Sequence, residues 1–225
     1  MKFNFFLSKN NRKIQVRKKI LKSLGSKKIN ISSLKNYYKF GRSYFDDYNI
    51  GIGYGGYKDD GRFNESASKL IKFFKLKKNS KVLEIGCAKG YLLSELKKKG
   101  MKIFGIDISK YAAKCSNKNI RKNIKILNVE KGIPFKDNFF DLVISKDTIP
   151  LIKLSKIDMV IKEIIRVSKN KKNIYLYIQG VKNEYQSNLL REWEPTTKIS
   201  WTSKQWKKKL TELNFKGFYE IKNLF

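Results

Sequence analysis

A chain of 225 residues is long enough to bury one full hydrophobic core, and 51 Lys and Arg against 19 Asp and Glu give it a formal net charge of +32. Two cysteines, Cys87 and Cys115, and no histidine exclude a disulfide framework and a zinc centre. No apolar run approaches the ~20 residues of a membrane span, so the chain reads as soluble and cytoplasmic. The charge attracts polyanions at long range, but it is dispersed through turns such as "KLKKNSK" and "KKKG" rather than gathered in one stripe. It predicts non-specific nucleic-acid binding at low salt and no dedicated nucleic-acid face.

Residues 1–45 form a basic extension without Asp or Glu. Within it "NRKIQVRKKILKSLG" spaces Ile14, Val16, Ile20, Leu21 and Leu24 for a helix ended by Gly25. Residues 46–64 are too rich in glycine for a helix or an interior strand and read as a loop. A helix follows from Glu65, with Leu70, Ile71, Phe73 and Phe74 facing a core. From Lys81 onward short apolar runs alternate with helical stretches. "KVLEIG" precedes a helix over 91–99, "KIFGID" one over 109–117, and "FDLVIS" one over 155–168; "IKIL" and "NIYLYIQ" are further strands. Ser155 and Asp158 predict a capping box, and Ser203 an N-cap for a helix over 203–213. "FKGFYEIKNLF" reads as two closing strands about Gly217. The alternation predicts an α/β fold, a doubly wound, mostly parallel sheet covered on both faces.

The stretch Gly86-Cys87-Ala88-Lys89-Gly90-Tyr91 joins a predicted strand to a predicted helix, where open α/β sheets bind ligands. It lacks the three glycines of G-x-G-x-x-G and the Gly-Lys-Ser/Thr of a Walker loop, which disfavours NAD(P) and ATP. Glu84 lies two residues before Gly86. Asp107 ends the next strand, where a carboxylate accepts hydrogen bonds from both ribose hydroxyls.

In these residues the sequence resembles the class I S-adenosyl-L-methionine-dependent methyltransferases of the methyltransferase type 11 kind. "VLEIGCAKG" is similar to their first motif, "GIDIS" to their second-strand acid, and "NVEKGIPFKDNFFDLVIS" to their third-loop and fourth-strand block. The resemblance covers residues 65–225 and implies a Rossmann-like, seven-stranded sheet. It also implies that Glu84, Gly86 and Gly90, with Cys87 and Ala88 of the same turn, lie against the methionine half of the cofactor. Asp107 would bind ribose, Ile108 pack on adenine, and Asn128, followed by Val129, stand where the family often has an Asp for the adenine amino group. Ala88 replaces a commoner glycine. In the upstream loop "GYGGYKDDGR", Tyr54 and Tyr57 are candidates to cover the sulfonium, and Arg62 to pair with the methionine carboxylate.

An oxygen or nitrogen acceptor must lose a proton, and without histidine the candidate bases are carboxylates and tyrosines at the sheet's carboxyl edge. Asp147 comes first; Glu184 and Tyr185, after the fifth strand, come next. "LLREWEPTTKISW" is expected to cap the acceptor pocket, with Trp193 either in that cap or in the core. "SKDTIP" stands where exocyclic-amine base methyltransferases place a D/N-P-P-Y motif. The expected acceptor is therefore a small molecule or glycan. The alternatives are an rRNA or tRNA methyltransferase, or a cofactor-binding domain without catalysis.

Overall fold

The computed structural model describes residues 5–6, 17–19, 21–22, 35–54 and 56–225. Most of the predicted basic helix, including Ile14, Val16, Ile20, Leu24 and Gly25, lies outside the described residues, whereas Leu21 is helical and buried.

Six strands form one parallel sheet: β1 (Lys81–Ile85), β2 (Lys102–Asp107), β3 (Ile124–Ile126), β4 (Leu142–Lys146), β5 (Ile174–Gly180) and β6 (Phe218–Asn223), in the order β3-β2-β1-β4-β5-β6. Strands buried on both faces need continuous apolar runs, and β1, β4 and β5 have them. The two side-chain sets face different layers. Val82, Leu142, Ile144 and Tyr175 pack against α2 (Arg62–Phe73) and α3 (Tyr91–Lys98) together with Phe5 and Phe6. Leu83, Ile85, Val143 and Leu176 pack against α6 (Ile157–Val167) and α8 (Ser203–Glu212). The remaining helices are α1 (Arg42–Phe45), α4 (Lys110–Lys114), α5 (Lys118–Arg121) and α7 (Glu184–Trp193).

Three local expectations are corrected. The two closing strands about Gly217 are one, β6, parallel to β5 from Tyr175↔Phe218 to Gly180↔Asn223, so the described residues contain six strands rather than seven. Gly217 serves packing instead, since a Cβ there would meet Ile174 Cβ and O at 2.8 Å. Ser155 sits in a one-turn 3-10 segment (Leu154–Lys156) and does not cap α6; Asp158 pairs with Lys209 at 3.0 Å. Thr202, not Ser203, caps α8, and it does so in a full capping box with Gln205.

The order reverses at β1, which has β2 on one side and β4 on the other. This switch point opens a crevice beyond the carboxyl ends of the strands, where open α/β sheets take ligands.

Candidate functional site at the carboxyl edge of the sheet

A cavity of about 400 Å³ occupies the crevice. Its floor is made by strand ends. The turn after β1 supplies Gly86 and Ala88, β2 ends in Asp107 and Ile108, β3 leads to Leu127, Asn128 and Val129, and β4 ends in Lys146, Asp147 and Thr148. Its roof comes from elsewhere in the chain: Tyr38, Phe40, Tyr44, Phe45 and Tyr54 from the N-terminal third, and Trp193, Glu194 and Thr196 from the end of α7 and the loop after it.

The turn is held by its own acid. Asp107 Oδ2 accepts the Ala88 N–H at 2.7 Å, and Oδ1 accepts the Ser109 N–H at 2.8 Å. Burial raises the Asp107 pKa, against the backbone N–H groups of Ser109, Ala88 and Ile108. Each oxygen keeps a lone pair for a further donor. Ala88 has φ +50°, in the left-handed region that favours glycine. The two glycines of the turn have different neighbours. At Gly86, φ +71°, a Cβ would meet Thr148 Oγ1 at 1.8 Å. At Gly90, φ +72°, it would meet Ile120 Cδ1 at 2.6 Å, on the core side. Gly90 does not line the cavity. Nor does Cys87, whose thiol is buried and pushed up by that burial.

Glu84 on β1 is 5% exposed, and its Oε2 has no hydrogen-bond partner. Burial raises its pKa to about 8, with Lys146 opposing and Asp107 reinforcing the shift. Asp147 follows β4 with φ +58°. Its N–H is bound by Tyr177 O, its Oδ2 by the Lys146 ammonium, and its Oδ1 is buried and unpartnered. A non-glycine residue in the left-handed region at the end of a central strand is a strained position of the kind found at functional sites. Asn128 lines the cavity, with its Oδ1 accepting the Glu130 N–H at 2.9 Å.

The other sequence candidates fall outside the lining. Arg62 is engaged in a fork with Asp60, at 2.7 Å from Nε and 2.6 Å from Nη2, because both belong to the loop-to-helix corner opening α2. Tyr57 packs its ring on Tyr54 and Tyr91 one layer behind the cavity wall. Glu184 and Tyr185 occupy the first turn of α7, capped by Asn183, and are exposed. Neither reaches the cavity, because the chain after β5 turns into a helix whose inner face carries Leu190 and Trp193 instead. Trp193 is both wall and core: it lines the cavity and packs with Leu21 and Phe225.

Sequence reasoning missed Lys146, Gln179, Glu194 and the roof aromatics other than Tyr54 and Trp193. Gln179, near the end of β5, lines the cavity with a buried, unpartnered Oε1. Glu194 is 7% exposed and accepts hydrogen bonds from Tyr44 at 3.3 Å, Tyr37 at 3.4 Å and the Thr196 hydroxyl. Burial lifts its pKa to about 7 against those donors. The roof is tied to the turn by Lys89, whose Nζ reaches Asp46 Oδ1 at 2.6 Å and Tyr57 O at 2.8 Å, while Tyr111 donates to Asp46 at 2.8 Å. Further ties run from Ser109 Oγ to Phe40 O and from Gly53 N to Trp193 O. A glycine turn, a ribose-type acid and a nearby strand end form one half of the cavity, and a strained carboxylate under aromatic rings forms the other.

The family described as "Methyltransferase domain" matches residues 76–217, and that of protein-L-isoaspartate (D-aspartate) O-methyltransferase matches residues 6–132. The mouse protein named arginine-hydroxylase NDUFAF5, mitochondrial, is 42% identical over 64 residues, 28% of this chain and 19% of its own length; the human protein is 39% identical over the same span. The match thus covers about a fifth of these curated relatives. In fold the chain is similar to a Bacillus halodurans protein (TM-score 0.54, 18% identity, 65% of this chain and 67% of that one) and to the MccD protein (TM-score 0.53, 22% identity, 65% and 68%). The motifs, the parallel sheet and the match over 76–217 agree, and the chain belongs to the class I S-adenosylmethionine-dependent methyltransferases.

Proposed function

We propose that the protein transfers a methyl group from S-adenosylmethionine to an oxygen or nitrogen atom of a small molecule or glycan, and that Asp147 receives the proton that atom loses. The observation that carries this reading is the shared cavity: Asp107 and the Gly86–Ala88 turn line one side of it, and Asp147, with a buried unpartnered oxygen, lines the other.

The residues present suit the cofactor. Asp107 keeps lone pairs for ribose hydroxyls, the exposed Ile108 and the buried Val129 line the cavity with apolar surface for adenine, and Glu84 Oε2, behind the lining, is a buried acceptor without a donor. When bound, S-adenosylmethionine supplies a methyl group on a sulfonium, ready for in-line displacement. The chain's own work is then orientation and exclusion of water. Tyr54 and Phe45, stacked on each other with centroids 5.6 Å apart, line the cavity with aromatic surface suited to a cation. Asp147, its N–H held by Tyr177 O and its Oδ2 by Lys146, keeps an unpartnered Oδ1 to take a proton.

A roofed, aromatic cavity supports a small acceptor over an RNA strand, whose phosphates would meet Glu194 and Asp147 there. The expected RNA binding is superficial and lost as salt rises.

Titration calorimetry with S-adenosylhomocysteine tests the cofactor half. Asp107→Asn should weaken binding by about 1–3 kcal/mol while the variant stays folded; unchanged affinity removes the ribose role. For the acceptor half, cell extract incubated with methyl-labelled cofactor should give label in small metabolites, with Asp147→Asn inactive and still cofactor-binding. Mass spectrometry of the product separates an added methyl from an added oxygen, the chemistry for which the mammalian relatives are named.

A further inference from the structure

The chain carries a net charge of +32, yet the cavity collects acids. Tyr54 shows this most directly: its phenol is held well above the ordinary range by burial and then by the fields of Asp147, Glu194, Asp107 and Glu84. Asp107 belongs to the floor, and Glu84 lies buried on β1 behind it, outside the lining. Asp147 and Glu194 border the acceptor half, under Tyr38, Tyr44, Phe45, Tyr54 and Trp193.

Hydrogen-bonding capacity in that half is one-sided. The Tyr44 and Thr196 hydroxyls are donated to Glu194, and the Lys146 ammonium lies on Asp147 Oδ2. What remains unpartnered and buried is acceptor capacity, Asp147 Oδ1 and Gln179 Oε1. Three further cations border the cavity away from this half's carboxylates: Lys153 in the lining, the exposed Lys198 with its Nζ 6.0 Å from the Tyr38 ring centroid, and Arg17, whose guanidinium lies 5.9 Å from the Trp193 ring centroid.

Three kinds of occupant can be compared. An anion would bring a third negative charge to Asp147 and Glu194 and offer no donor to Gln179. A neutral polyol offers donors but no charge to set against the buried Glu194, and Asp147 is offset only by Lys146. A protonated amine offers three donors and a charge of the right sign, and it gains further from ring faces that exclude water.

We propose that the acceptor half of the cavity is an ammonium-recognition site, in which Gln179 Oε1 and the field of Glu194 hold a protonated amino group of the acceptor against the Tyr44 and Tyr54 rings. The methyltransferase reading above supplies the meaning of "acceptor". The charge preference itself is a property of the cavity walls. Asp147 stays with the atom that is methylated, and the amino group is a separate handle that fixes the acceptor's position.

Three fragments of similar size test this: benzylamine, benzyl alcohol and benzoate. They are titrated by saturation-transfer NMR against the protein saturated with S-adenosylhomocysteine. Benzylamine should bind about tenfold tighter than benzyl alcohol, and benzoate should not bind. Glu194→Gln should reduce that preference about tenfold and leave benzyl alcohol unchanged; Gln179→Met serves if the first variant does not fold, with the same expected narrowing. Equal or better binding of the alcohol or benzoate, no binding of benzylamine, or a preference that a folded variant leaves unmoved would each overturn the proposal. The two readings fail separately. If S-adenosylhomocysteine does not bind but benzylamine keeps its preference in the unliganded protein, the cofactor assignment falls and the ammonium site stands. If S-adenosylhomocysteine binds and the preference is absent, only the ammonium site falls.

Discussion

The floor and the roof of the cavity are built by different physics. The floor rests on β1, β2 and β4, central strands locked in parallel register, and its functional groups sit within a residue or two of strand ends. The roof rests on aromatic contact. Tyr44 meets Tyr37, Phe40, Phe45 and Tyr54 with ring centroids 4.8–5.4 Å apart, and few backbone bonds join these segments to the sheet. Position on the floor is therefore set by backbone hydrogen bonds. On the roof it is set by side-chain packing and by two buried polar clusters, Lys89–Asp46–Tyr111 and Glu194–Tyr37–Tyr44–Thr196.

The largest effect should come from breaking the floor. At Gly86 a Cβ collides with Thr148 and the left-handed backbone disfavours any side chain. Gly86→Ala should cost about 2–5 kcal/mol in chemical denaturation, combining overpacking with backbone strain, and abolish S-adenosylhomocysteine binding in calorimetry. Adding Thr148→Ala should restore part of the stability, because the closest colliding atom, Oγ1, is gone.

A pH titration separates the two regions next. Glu84, in β1 beneath the floor, is raised to about 8 and Glu194 on the roof to about 7, both chiefly by burial. A carboxyl whose folded pKa is raised contributes stability that is fully present below its unfolded pKa and lost as pH rises through the folded value. Thermal stability without ligand should therefore fall between about pH 5 and pH 8 by a few kcal/mol in all. Glu194→Gln should reduce the fall up to about pH 7, and Glu84→Gln should reduce it throughout and remove the part above about pH 7. A cation beside Glu84 favours its ionised form. Binding of S-adenosylmethionine at pH 7 should then release a proton, seen as a dependence of calorimetric heat on the buffer's ionisation enthalpy.

Loosening the roof alone is a smaller perturbation. Asp46→Asn removes a charge from a pair whose lysine side chain is 8% exposed. It should cost about 1–3 kcal/mol, with faster hydrogen exchange over residues 38–57 and unchanged protection in β1 and β4. Wild-type Asp46 is held below its usual range by Lys89 and Tyr111, against its burial. This contribution is present at neutral pH and lost as pH falls through the folded value, the opposite sign to Glu194. The smallest change is a gain. Ala88→Gly relieves a left-handed alanine and should stabilise the protein by up to about 1 kcal/mol, with the Asp107 bond to residue 88 kept.

The same division governs what the sequence disclosed. Floor residues carry local signals: "KVLEIGCAKG" joins an apolar run to glycines, Asp107 ends the next run, and Asp147 follows "FDLVIS". Each was legible because a strand end fixes where its neighbours stand. The roof has no such period. Tyr37 and Glu194 are 157 positions apart and meet only through tertiary packing, so neither the acid nor its hydroxyl partners stood out. Arg62, Glu184 and Tyr185 were misplaced for a related reason. Residue type suggested chemistry, but the corner opening α2 gave Arg62 to Asp60, and the phase of α7 turned the other two to solvent. The absent second closing strand was a misread of Gly217, whose role is contact with Ile174.

Because β6 runs parallel to its neighbour β5, the chain between them must cross from one end of the sheet to the other, and that crossover carries α7, the Glu194–Thr196 loop and α8. Both ends of the loop are thereby anchored by elements whose place does not depend on its composition. Under the proposed function, descendants of such a chain can rewrite or lengthen residues 194–201 and change which acceptor fits while inheriting the turn, Asp107 and the sheet unchanged. Selection for new substrates should accordingly leave its marks in this span first.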